Sequence, residues 1–586
     1  MFTVEQVLSD HYPAVQNSPF LGPAVRPVLR RLLREDDFTA FAARYPHLKG
    51  MDFVEQALEH FAFSYTVSQR ERENIPPCGR VVIIANHPIG SLDGLALLKL
   101  IHEVRSDVRI VANSLLSQIK PLGPCLLPVN NMGGASSTKE QLGLISAALL
   151  NEEAVIVFPA GEVSRFSLSG IKDGKWRKGF LKIAEKAKAP ILPVHVDGRN
   201  SVSFYAASAL WKPLSTALLV QEMFRQQKRR LKFTVGEIIP YSVCRSLPFA
   251  AEKKVKLIRK HLYRIGKGKA PLLRTESAVA LPERRSDLKK CLKEAELLGK
   301  TPDGKLIFLA AGQESSPLLR EIGRLRETAF RAVEEGTGRR RDIDRFDSYY
   351  QHLVLWDEND LEIVGAYRFT DAASVIAEHG LEGLYTHSLF DFGPEHRWFL
   401  NSGLELGRSF VQPRYWGKRS LDYLWYGIGA FLAKNPQYRH LFGPVSISSA
   451  MPQSAKDLLI YFYQLHYGGG PHCSRTPFVY ASPQTALAQE FSGKDCAEDF
   501  KRLKHLLQNM GVSVPPLYKQ YAALCEPGGV RFLDFNVDAD FSSCVDGLVV
   551  VDLARLTAQK RSRYIEGELL ASSPSSSPVS SHSPHQ

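Results

Sequence analysis

The chain has 586 residues, too many for a single hydrophobic core, so we expect two or three domains. Hydrophobic residues make up 44% of the chain and charged residues 23%, which is typical of a folded protein and excludes a largely disordered one. The net charge is +13, and the eight cysteines show neither a CxxC pair nor a Cys/His cluster at zinc spacing; this indicates a reducing cytosol and argues against a disulfide framework or a structural metal.

The excess positive charge is concentrated in one segment. Residues 151–270 carry 24 Lys and Arg against 9 Asp and Glu, whereas the residues before and after them are close to neutral. The basic runs 225–232 and 252–264 alternate with apolar residues at helical spacing, which predicts an amphipathic basic surface. Such a surface attracts lipid headgroups, an acidic carrier protein or nucleic acid, unless it is only a solvated basic face.

No targeting or membrane-spanning segment is apparent in the sequence. The first residues, MFTVEQVLSD, have neither a basic region nor an apolar core, so they do not resemble a signal peptide. A transmembrane helix needs about eighteen or more apolar residues in a row, and the nearest candidate, residues 204–223, is interrupted by Lys212 and Pro213. We therefore expect a soluble or peripheral protein.

The first half of the chain predicts an α/β domain. Residues 1–70 form a helical segment with regularly recurring apolar positions, and residues 71–265 alternate β-rich runs with helices. Strands are expected at 81–86, 108–113, 154–160 and 190–198. This alternation predicts a largely parallel sheet. Residues 266–287 are rich in Gly, Pro and charge and are interpreted as a linker.

A second α/β domain is predicted over residues 288–565. Helices are expected around 321–336 and 420–434, and strands at 306–311, 352–357, 362–370, 404–411 and 440–447. The last residues, 566–586, are rich in Ser, Pro and His and have too few apolar groups to fold, so we predict a disordered tail. The fold class is thus α/β with two domains.

The first group of candidate site residues follows the strand VVIIA. His87 comes directly after Asn86, and Asp93 lies at the mouth of the next helix. A carboxylate that accepts from one imidazole nitrogen fixes the tautomer and leaves the other nitrogen to remove a proton from a hydroxyl. Further on, Gly161 and Glu162 form a turn after another strand, and its backbone amides with Arg165 form a potential phosphate or carboxylate site.

The order NHP with a downstream Asp, then FPAGE, then PILPVHVDG resembles the glycerolipid acyltransferase family over roughly residues 70–240. The resemblance implies that His87 is the catalytic base, with Asp93 as its partner, and that the turn at Gly161 and Glu162 binds the acceptor's polar group. Asn86 is also predicted to bind the substrate. It also implies direct transfer from a thioester, without ATP or metal. Five residues separate His87 from Asp93 where the family has four, and residues 123–130 lack the family's usual arginine. Both departures resemble the branch that acts on lyso-ornithine lipid and disfavour glycerol 3-phosphate as acceptor.

The second group of candidates lies in the C-terminal half. Glu405 and Arg408 stand in a strand that is otherwise apolar, and two charges there cost several kcal/mol unless they are paired or face a polar cleft. A structural ion pair is the alternative interpretation. Ahead of the helix at 420–434, basic side chains and backbone amides offer a potential seat for the phosphate of a pantetheine arm. These residues are Arg414, Gly417, Lys418 and Arg419.

The order of charged blocks from about residue 318 to 445 resembles the N-acyltransferases that make lyso-ornithine lipid, a branch of the GNAT fold, and more distantly the acyl-homoserine-lactone synthases. These families use acyl carrier protein as donor and an amino group as acceptor. The matching positions, which the resemblance implies are substrate-binding or catalytic, are Arg326, Asp344, Asp347, Arg368, Glu405 and Arg408. Among them we choose Glu405 as the catalytic base.

An O-acyltransferase-like half followed by an N-acyltransferase-like half resembles the bifunctional ornithine lipid synthases of bacteria. The resemblance implies that the C-terminal domain acylates the α-amino group of ornithine with a 3-hydroxyacyl group, and that the N-terminal domain acylates the new hydroxyl of lyso-ornithine lipid. It further implies acyl carrier protein as partner and no bound cofactor or metal. We expect a cytoplasmic protein held peripherally at the anionic inner face of the cytoplasmic membrane.

Other functions remain open from the sequence. Another aminolipid synthase, with glutamine, lysine or glycine as acceptor, or a lysophospholipid acyltransferase would share these motifs. A basic membrane-binding or nucleic-acid-binding scaffold with inert acyltransferase halves is a further alternative. Few aromatics interleave the basic runs and no RNA or DNA motif appears, so we expect no nucleic-acid partner.

Overall fold

The computed structural model describes residues 21–113, 119–129, 135–167, 170–210 and 212–566. The chain divides into two compact units, residues 1–280 and residues 281–586, and the division falls inside the segment 266–287. The predicted helical segment begins before the described residues, and the predicted tail lies outside them apart from residue 566.

The first unit opens with three helices, α1 (Leu21–Leu32), α2 (Glu35–Arg44) and α3 (Gly50–His60). Helix α3 buries Phe53, Val54, Ala57 and Leu58, which recur at helical spacing and so form one apolar face. The exposed acidic residues of α3 lie on the opposite side of the helix.

The sheet of the first unit has seven strands, and its order is β1-β9-β8-β2-β5-β3-β4. Neighbouring strands are parallel except for β8 and β9, which are antiparallel. All five residues of β2 are buried, as expected for a central strand covered on both faces. The strands are β1 (Ser64–Thr66), β2 (Val81–Ala85), β3 (Val108–Asn113), β4 (Leu126–Val129), β5 (Ala154–Val157), β8 (Ile191–Asp197) and β9 (Arg230–Val235). A separate hairpin consists of β6 (Arg165–Ser167) and β7 (Gly170–Lys172).

Helices separate the strands of this unit, as predicted from the alternating pattern. They are α4 (Gln69–Arg72), α5 (Ser91–His102), α6 (Ala135–Leu150), α7 (Gly179–Ala187), α8 (Val202–Leu210), α9 (Lys212–Arg225), α10 (Tyr241–Ser246) and α11 (Ala251–Ile265). The basic run 252–264 is helical, within α11. The prediction of helical spacing over 225–232 is wrong, because α9 ends at Arg225 and β9 begins at Arg230.

The sheet of the second unit has eight strands in the order β10-β11-β12-β13-β14-β15-β17-β16. Only β14 and β15 pair in parallel; every other neighbouring pair is antiparallel. The strands are β10 (Glu296–Lys300), β11 (Leu306–Ala311), β12 (Gln351–Asp357), β13 (Glu362–Asp371), β14 (Gly403–Val411), β15 (His440–Ile447), β16 (Val530–Asp538) and β17 (Cys544–Asp552).

Helices of the second unit pack on this sheet. They are α12 (Arg285–Lys293), α13 (Pro317–Ala332), α14 (Ala372–His379), α15 (Arg397–Leu400), α16 (Ser420–Lys434), α17 (Gln453–Tyr467), α18 (Gln484–Glu490), α19 (Cys496–Asn509), α20 (Pro516–Ala522) and α21 (Ala558–Tyr564). The largest core cluster joins apolar residues of the sheet with α16, α17 and α20. Within the described ranges, no helix combines the length and the apolar character that crossing a bilayer requires.

Candidate active sites of the two units

His87 follows β2 directly, and its Nδ1 lies 3.0 Å from Oδ1 of Asp93 in the first turn of α5. Asp93 is fully buried, and its carboxylate also accepts the backbone N–H groups of Ile89, at 3.0 Å, and Gly90, at 3.2 Å. Gly90 has a φ of +128°, a conformation that favours glycine. The turn therefore fixes Asp93 against Nδ1, and no described residue forms a hydrogen bond with Nε2.

The environment of His87 favours a ring that accepts a proton. Burial works to lower the pKa of His87, but the Asp93 carboxylate and, more weakly, Asp173 outweigh it, so that the pKa lies above its ordinary value. The imidazole stacks on the ring of Phe158, with the ring centroids 4.1 Å apart. About a fifth of the side chain is exposed, at 20%. This arrangement holds the ring in one orientation while leaving it partly accessible.

Asp173 is a residue of this site that the sequence reasoning missed. Its Oδ1 accepts the backbone N–H of His87 at 3.2 Å and the hydroxyl of Ser164 at 2.5 Å, and its Oδ2 accepts Nε1 of Trp176 at 2.9 Å. Burial raises the pKa of Asp173. The sequence signal that could have indicated this residue is that Asp173 is the single acidic residue of the basic run 170–178. Asp173 ties the loop after FPAGE to the backbone of His87.

In the structure, Asn86 and the backbone amide of Gly161 do not make the substrate contacts that the sequence predicts. Both side-chain polar atoms of Asn86 bond to the backbone of Val196, at 2.9 and 2.8 Å, so its amide joins β2 to β8 and is not left over for a substrate. The N–H of Gly161 donates to the carbonyl of Phe158 at 3.0 Å, so this amide closes a turn and is not available to an anion. Glu162 and Arg165 lie near the same turn and pair with each other at 3.3 Å.

In the second unit a cavity opens where two strands separate. Strands β14 and β15 pair only over Gly403–Glu405 and His440–Phe442, and beyond those residues they diverge. The cavity has a volume of about 210 Å³ and is lined by the far end of β14, by Pro444 and Ser446 of β15 and by residues from other parts of the second unit. Among these residues are Glu335, Tyr385, Phe541 and Asp546.

Arg408 enters this cavity because of a β-bulge. The register of β13 and β14 shifts between the pairs Ala366↔Phe410 and Arg368↔Gly407, which leaves one extra residue on β14. Arg408 has a φ of +51°, a conformation that costs roughly 1–3 kcal/mol for a residue other than glycine. Such strain is typical of functional sites. The guanidinium lies over the rings of Tyr385, at 4.8 Å, and Phe541, at 4.7 Å.

The other predicted polar residues of this unit form a buried ion network. Arg326 lies 2.7 Å from Asp347, and Arg368 lies 3.0 Å from Asp347 and 2.6 Å from Asp344. Arg326, Arg368 and Asp347 are at most 1% exposed. Burial would raise the pKa of Asp347, but Arg326 and Arg368 outweigh it and hold that pKa well below its ordinary value.

This network corrects the predicted substrate contacts. Arg326, Asp344, Asp347 and Arg368 pair with one another and do not line the cavity, whereas Arg408 does. Arg408 lies 3.5 Å from Asp344 and 3.5 Å from Asp342, so it joins the network to the cavity wall. The resemblance identified a connected group of residues, but of these only Arg408 lines the cavity.

Glu405 is also not a cavity residue. It is 1% exposed, and its carboxylate accepts the hydroxyl of Tyr350 and both the N–H and the hydroxyl of Thr386. Burial raises the pKa of Glu405, although these donors act against the shift. Glu405 is buried and does not line the cavity, so it fits a role in positioning Tyr350 and Thr386 better than the predicted role of catalytic base.

The segment predicted to bind pantetheine borders the cavity through Trp416. Arg414 lies 2.6 Å from Asp360 and also pairs with Glu362, and Arg419 pairs with Asp422 at 3.2 Å. The remaining predicted residues are Gly417, which has a positive φ, and Lys418, whose ammonium lies 5.1 Å from the centroid of the Tyr415 ring. Of the three predicted cations, Arg414 and Arg419 are thus already paired with carboxylates.

The sequence reasoning also missed two acidic residues of the cavity wall, Glu335 and Asp546. Oε2 of Glu335 accepts the hydroxyl of Ser446 at 2.9 Å. Burial raises the pKa of Glu335 to about 7, and burial with the charges of Asp538 and Glu335 raises that of Asp546 to about 8. The signal for Asp546 was an acid in the apolar strand CVDGLVVVD, the same signal that drew attention to Glu405.

Comparison with known proteins agrees with this division of the chain. Residues 6–269 match the family model described as Acyltransferase, and residues 325–426 match the one described as Acetyltransferase (GNAT) domain. The chain is 30% identical over 274 residues to a glycine N(alpha)-acyltransferase of Phocaeicola vulgatus, a match that covers 44% of this chain and 83% of that protein.

Two further relatives have related names. A lyso-glycine lipid O-acyltransferase of Phocaeicola vulgatus is 29% identical over 220 residues, which are 36% of this chain and 77% of that protein. An L-ornithine N(alpha)-acyltransferase of Brucella abortus is 30% identical over 255 residues, which are 42% of this chain and 79% of that protein. The chain therefore belongs to the acyltransferases, with an acyltransferase domain followed by a GNAT domain.

Proposed function

We propose that this chain makes an acylated aminolipid in two steps. The C-terminal unit acylates the α-amino group of ornithine with a 3-hydroxyacyl group from acyl carrier protein, and the N-terminal unit then acylates the 3-hydroxyl of the resulting lyso-lipid. The observation that carries this proposal is that one chain matches both amino-acid N(alpha)-acyltransferases and lyso-lipid O-acyltransferases. Joining the two sites in one chain keeps the intermediate at a high local concentration.

In the N-terminal unit, His87 acts as general base. Its Nε2 removes the proton of the 3-hydroxyl while that oxygen attacks the thioester carbonyl, and Asp93 stabilises the imidazolium that forms. The C–S bond then breaks, and the thiolate takes the proton from His87. A positioned general base contributes about 10²–10⁴-fold to the rate. The thioester is already activated, so the step needs no ATP.

In the C-terminal unit, the acceptor's α-ammonium first gives one proton to water, and the resulting amine attacks the second thioester. A new C–N bond forms, the C–S bond breaks, and the amine's excess proton leaves with the thiol. Arg408 is the cation of the cavity wall, so it is suited to bind the carboxylate of an amino acid. Its bulged, left-handed backbone holds the guanidinium at that wall.

We further propose that the N-terminal unit binds the anionic inner face of the cytoplasmic membrane. Helix α11 buries Val255, Ile258 and Leu262 and exposes three lysines on its other side. Those lysines, with Leu257 and the exposed ring of Phe249, surround an open depression. An apolar ring flanked by cations matches the interface of a bilayer with anionic headgroups. The three lysines are Lys253, Lys256 and Lys260.

Replacing these three lysines by alanine tests membrane binding. Each lysine near an anionic surface contributes about 1 kcal/mol, so we expect the partition coefficient onto anionic vesicles to fall by about two orders of magnitude. Sedimentation with phosphatidylglycerol vesicles measures it. The matched control replaces three exposed lysines of the second unit, Lys494, Lys504 and Lys519. Equal losses in both variants would show a general charge effect and contradict a specific surface.

The two-step function predicts a new lipid in a bacterium that lacks aminolipids. Expression of the chain is expected to produce a ninhydrin-positive, phosphorus-free lipid, and hydrolysis of that lipid should release ornithine together with a 3-hydroxy and a second fatty acid. Thin-layer chromatography and mass spectrometry of the lipid extract detect both. An unchanged aminolipid profile with altered phospholipids would instead favour a lysophospholipid acyltransferase.

A further inference from the structure

Glu335 and Asp546 are buried carboxylates without a compensating cation. They are 8% and 4% exposed, and among the described residues neither forms an ion pair. Glu335 accepts the hydroxyl of Ser446, and Asp546 accepts only the thiol of Cys544, at 3.8 Å, which is a weak bond. Buried charges in proteins are normally paired, because an unpaired one costs several kcal/mol. Two such groups on one cavity wall point to a missing cationic ligand.

Arg408 is a neighbouring cation that works to lower the pKa of Asp546, but it also lies 3.5 Å from Asp342 and from Asp344 and forms no ion pair with Asp546 or Glu335. Asp342, Asp344 and Asp347 are matched by Arg326, Arg368 and Arg408 in the network described above. The carboxylates of Glu335 and Asp546 therefore remain in excess, and Asp538 adds to the negative charge beside Asp546. Burial is the main cause of the raised pKa values of Glu335 and Asp546; for Asp546 the charges of Asp538 and Glu335 add to it, and Arg408 acts against it.

Side chains of both charge signs line the cavity. Ser446 of β15 and Asp546 of β17 are direct partners in an antiparallel pair, so their side chains share a face, and Glu335 bonds to Ser446 on that face. Arg408 comes from β14, on the other side of the gap between the diverging strands. The volume of about 210 Å³ is below the roughly 300 Å³ at which small-molecule pockets begin, so the ligand is small.

We infer that Glu335 and Asp546 bind the ammonium groups of the acceptor and make the C-terminal unit selective for an amino acid with a second, side-chain amine. A diamino monocarboxylic acid offers one ammonium group to each of the two carboxylates, and its own carboxylate can bind Arg408, which it would share with Asp342 and Asp344. A neutral amino acid leaves at least one of the carboxylates unpaired. This inference rests on the proposed N-acylation and names the residues that choose among its acceptors.

The test compares ornithine with norvaline, which has the same carbon skeleton but no side-chain amine, and with glycine. N-acylation is measured on the full-length protein with a 3-hydroxyacyl carrier-protein thioester. A site built to bind a polar group strongly rejects an analogue that lacks it, so for the wild-type protein we expect kcat/KM to favour ornithine by about 100-fold or more. In the isosteric variants Glu335→Gln and Asp546→Asn, we expect that preference to shrink by about 10- to 100-fold, mainly through loss of activity on ornithine.

Two controls make the outcome decisive. Asp540→Asn changes an exposed acid near β17 and should leave the preference unchanged. O-acylation by the N-terminal unit, together with the thermal unfolding curve of each variant, reports whether the protein is intact. An unchanged preference in both isosteric variants, or an equal loss on ornithine and norvaline, would overturn the inference while leaving N-acylation established. Failure of the wild-type protein to acylate any amino acid would overturn the proposed function itself.

Discussion

His87→Ala should abolish O-acylation while N-acylation continues, so that the lyso-lipid accumulates. The variant removes the one side chain whose Nε2 is suited to take the hydroxyl proton, and we expect the O-acylation rate to fall by about 10²–10⁴-fold. The fold should survive, because His87 is partly exposed and Asp93 keeps its bonds to the backbone N–H groups of Ile89 and Gly90. The measurement is the rate of O-acylation of purified lyso-lipid.

The same protein contains its own control for this experiment. N-acylation by the C-terminal unit is measured on the same sample and should equal that of the wild-type protein. His102→Ala, at the last residue of α5, is the matched histidine variant and should retain both activities. If His87→Ala keeps O-acylation within about fivefold of the wild-type rate while N-acylation and thermal stability are unchanged, His87 is not the base.

Arg326→Met should destabilise the second unit rather than merely weaken substrate binding. Arg326 is fully buried against Asp347, and removing one partner of such a pair costs about 3–5 kcal/mol, because the other charge is left without full compensation. For a domain of this size each kcal/mol shifts Tm by roughly 2–4 °C. We therefore expect the unfolding transition of the second unit to occur roughly 6–20 °C lower, as measured by calorimetry.

A neighbouring arginine provides the comparison. Arg320 lies on the same helix, α13, and pairs with Glu283, but its side chain is 37% exposed, so Arg320→Met should cost no more than about 1 kcal/mol. Adding Asp347→Asn to Arg326→Met removes the uncompensated charge and should recover part of the stability. Unchanged stability of Arg326→Met with lost N-acylation would instead restore the prediction that Arg326 binds substrate.

The order of elements was largely predictable because local patterns determine it. The apolar runs predicted as strands at 81–86 and 108–113 are β2 and β3, and the strand predicted at 404–411 lies within β14. Each is a short apolar run bounded by turn residues, which favours a strand. Strands β16 and β17 were not predicted, and β9 was interpreted as part of a helical run. Each of these three strands pairs within its own sheet, and these pairings bring together residues that no local sequence pattern connects.

The N-terminal pair His87 and Asp93 was predictable because only five residues separate them and a single turn brings them together. The amino-acid sequence alone thus predicted the two α/β halves, the acyltransferase resemblance and this pair. Only the tertiary structure showed which buried acid of the second unit meets open space: Glu405 and Asp546 both stand in apolar strands, and a sequence cannot distinguish them. Three features decide which acid lines the cavity: the divergence of β14 from β15, the bulge at Arg408 and the register Ser446↔Asp546. Each of them depends on strands that are far apart in sequence.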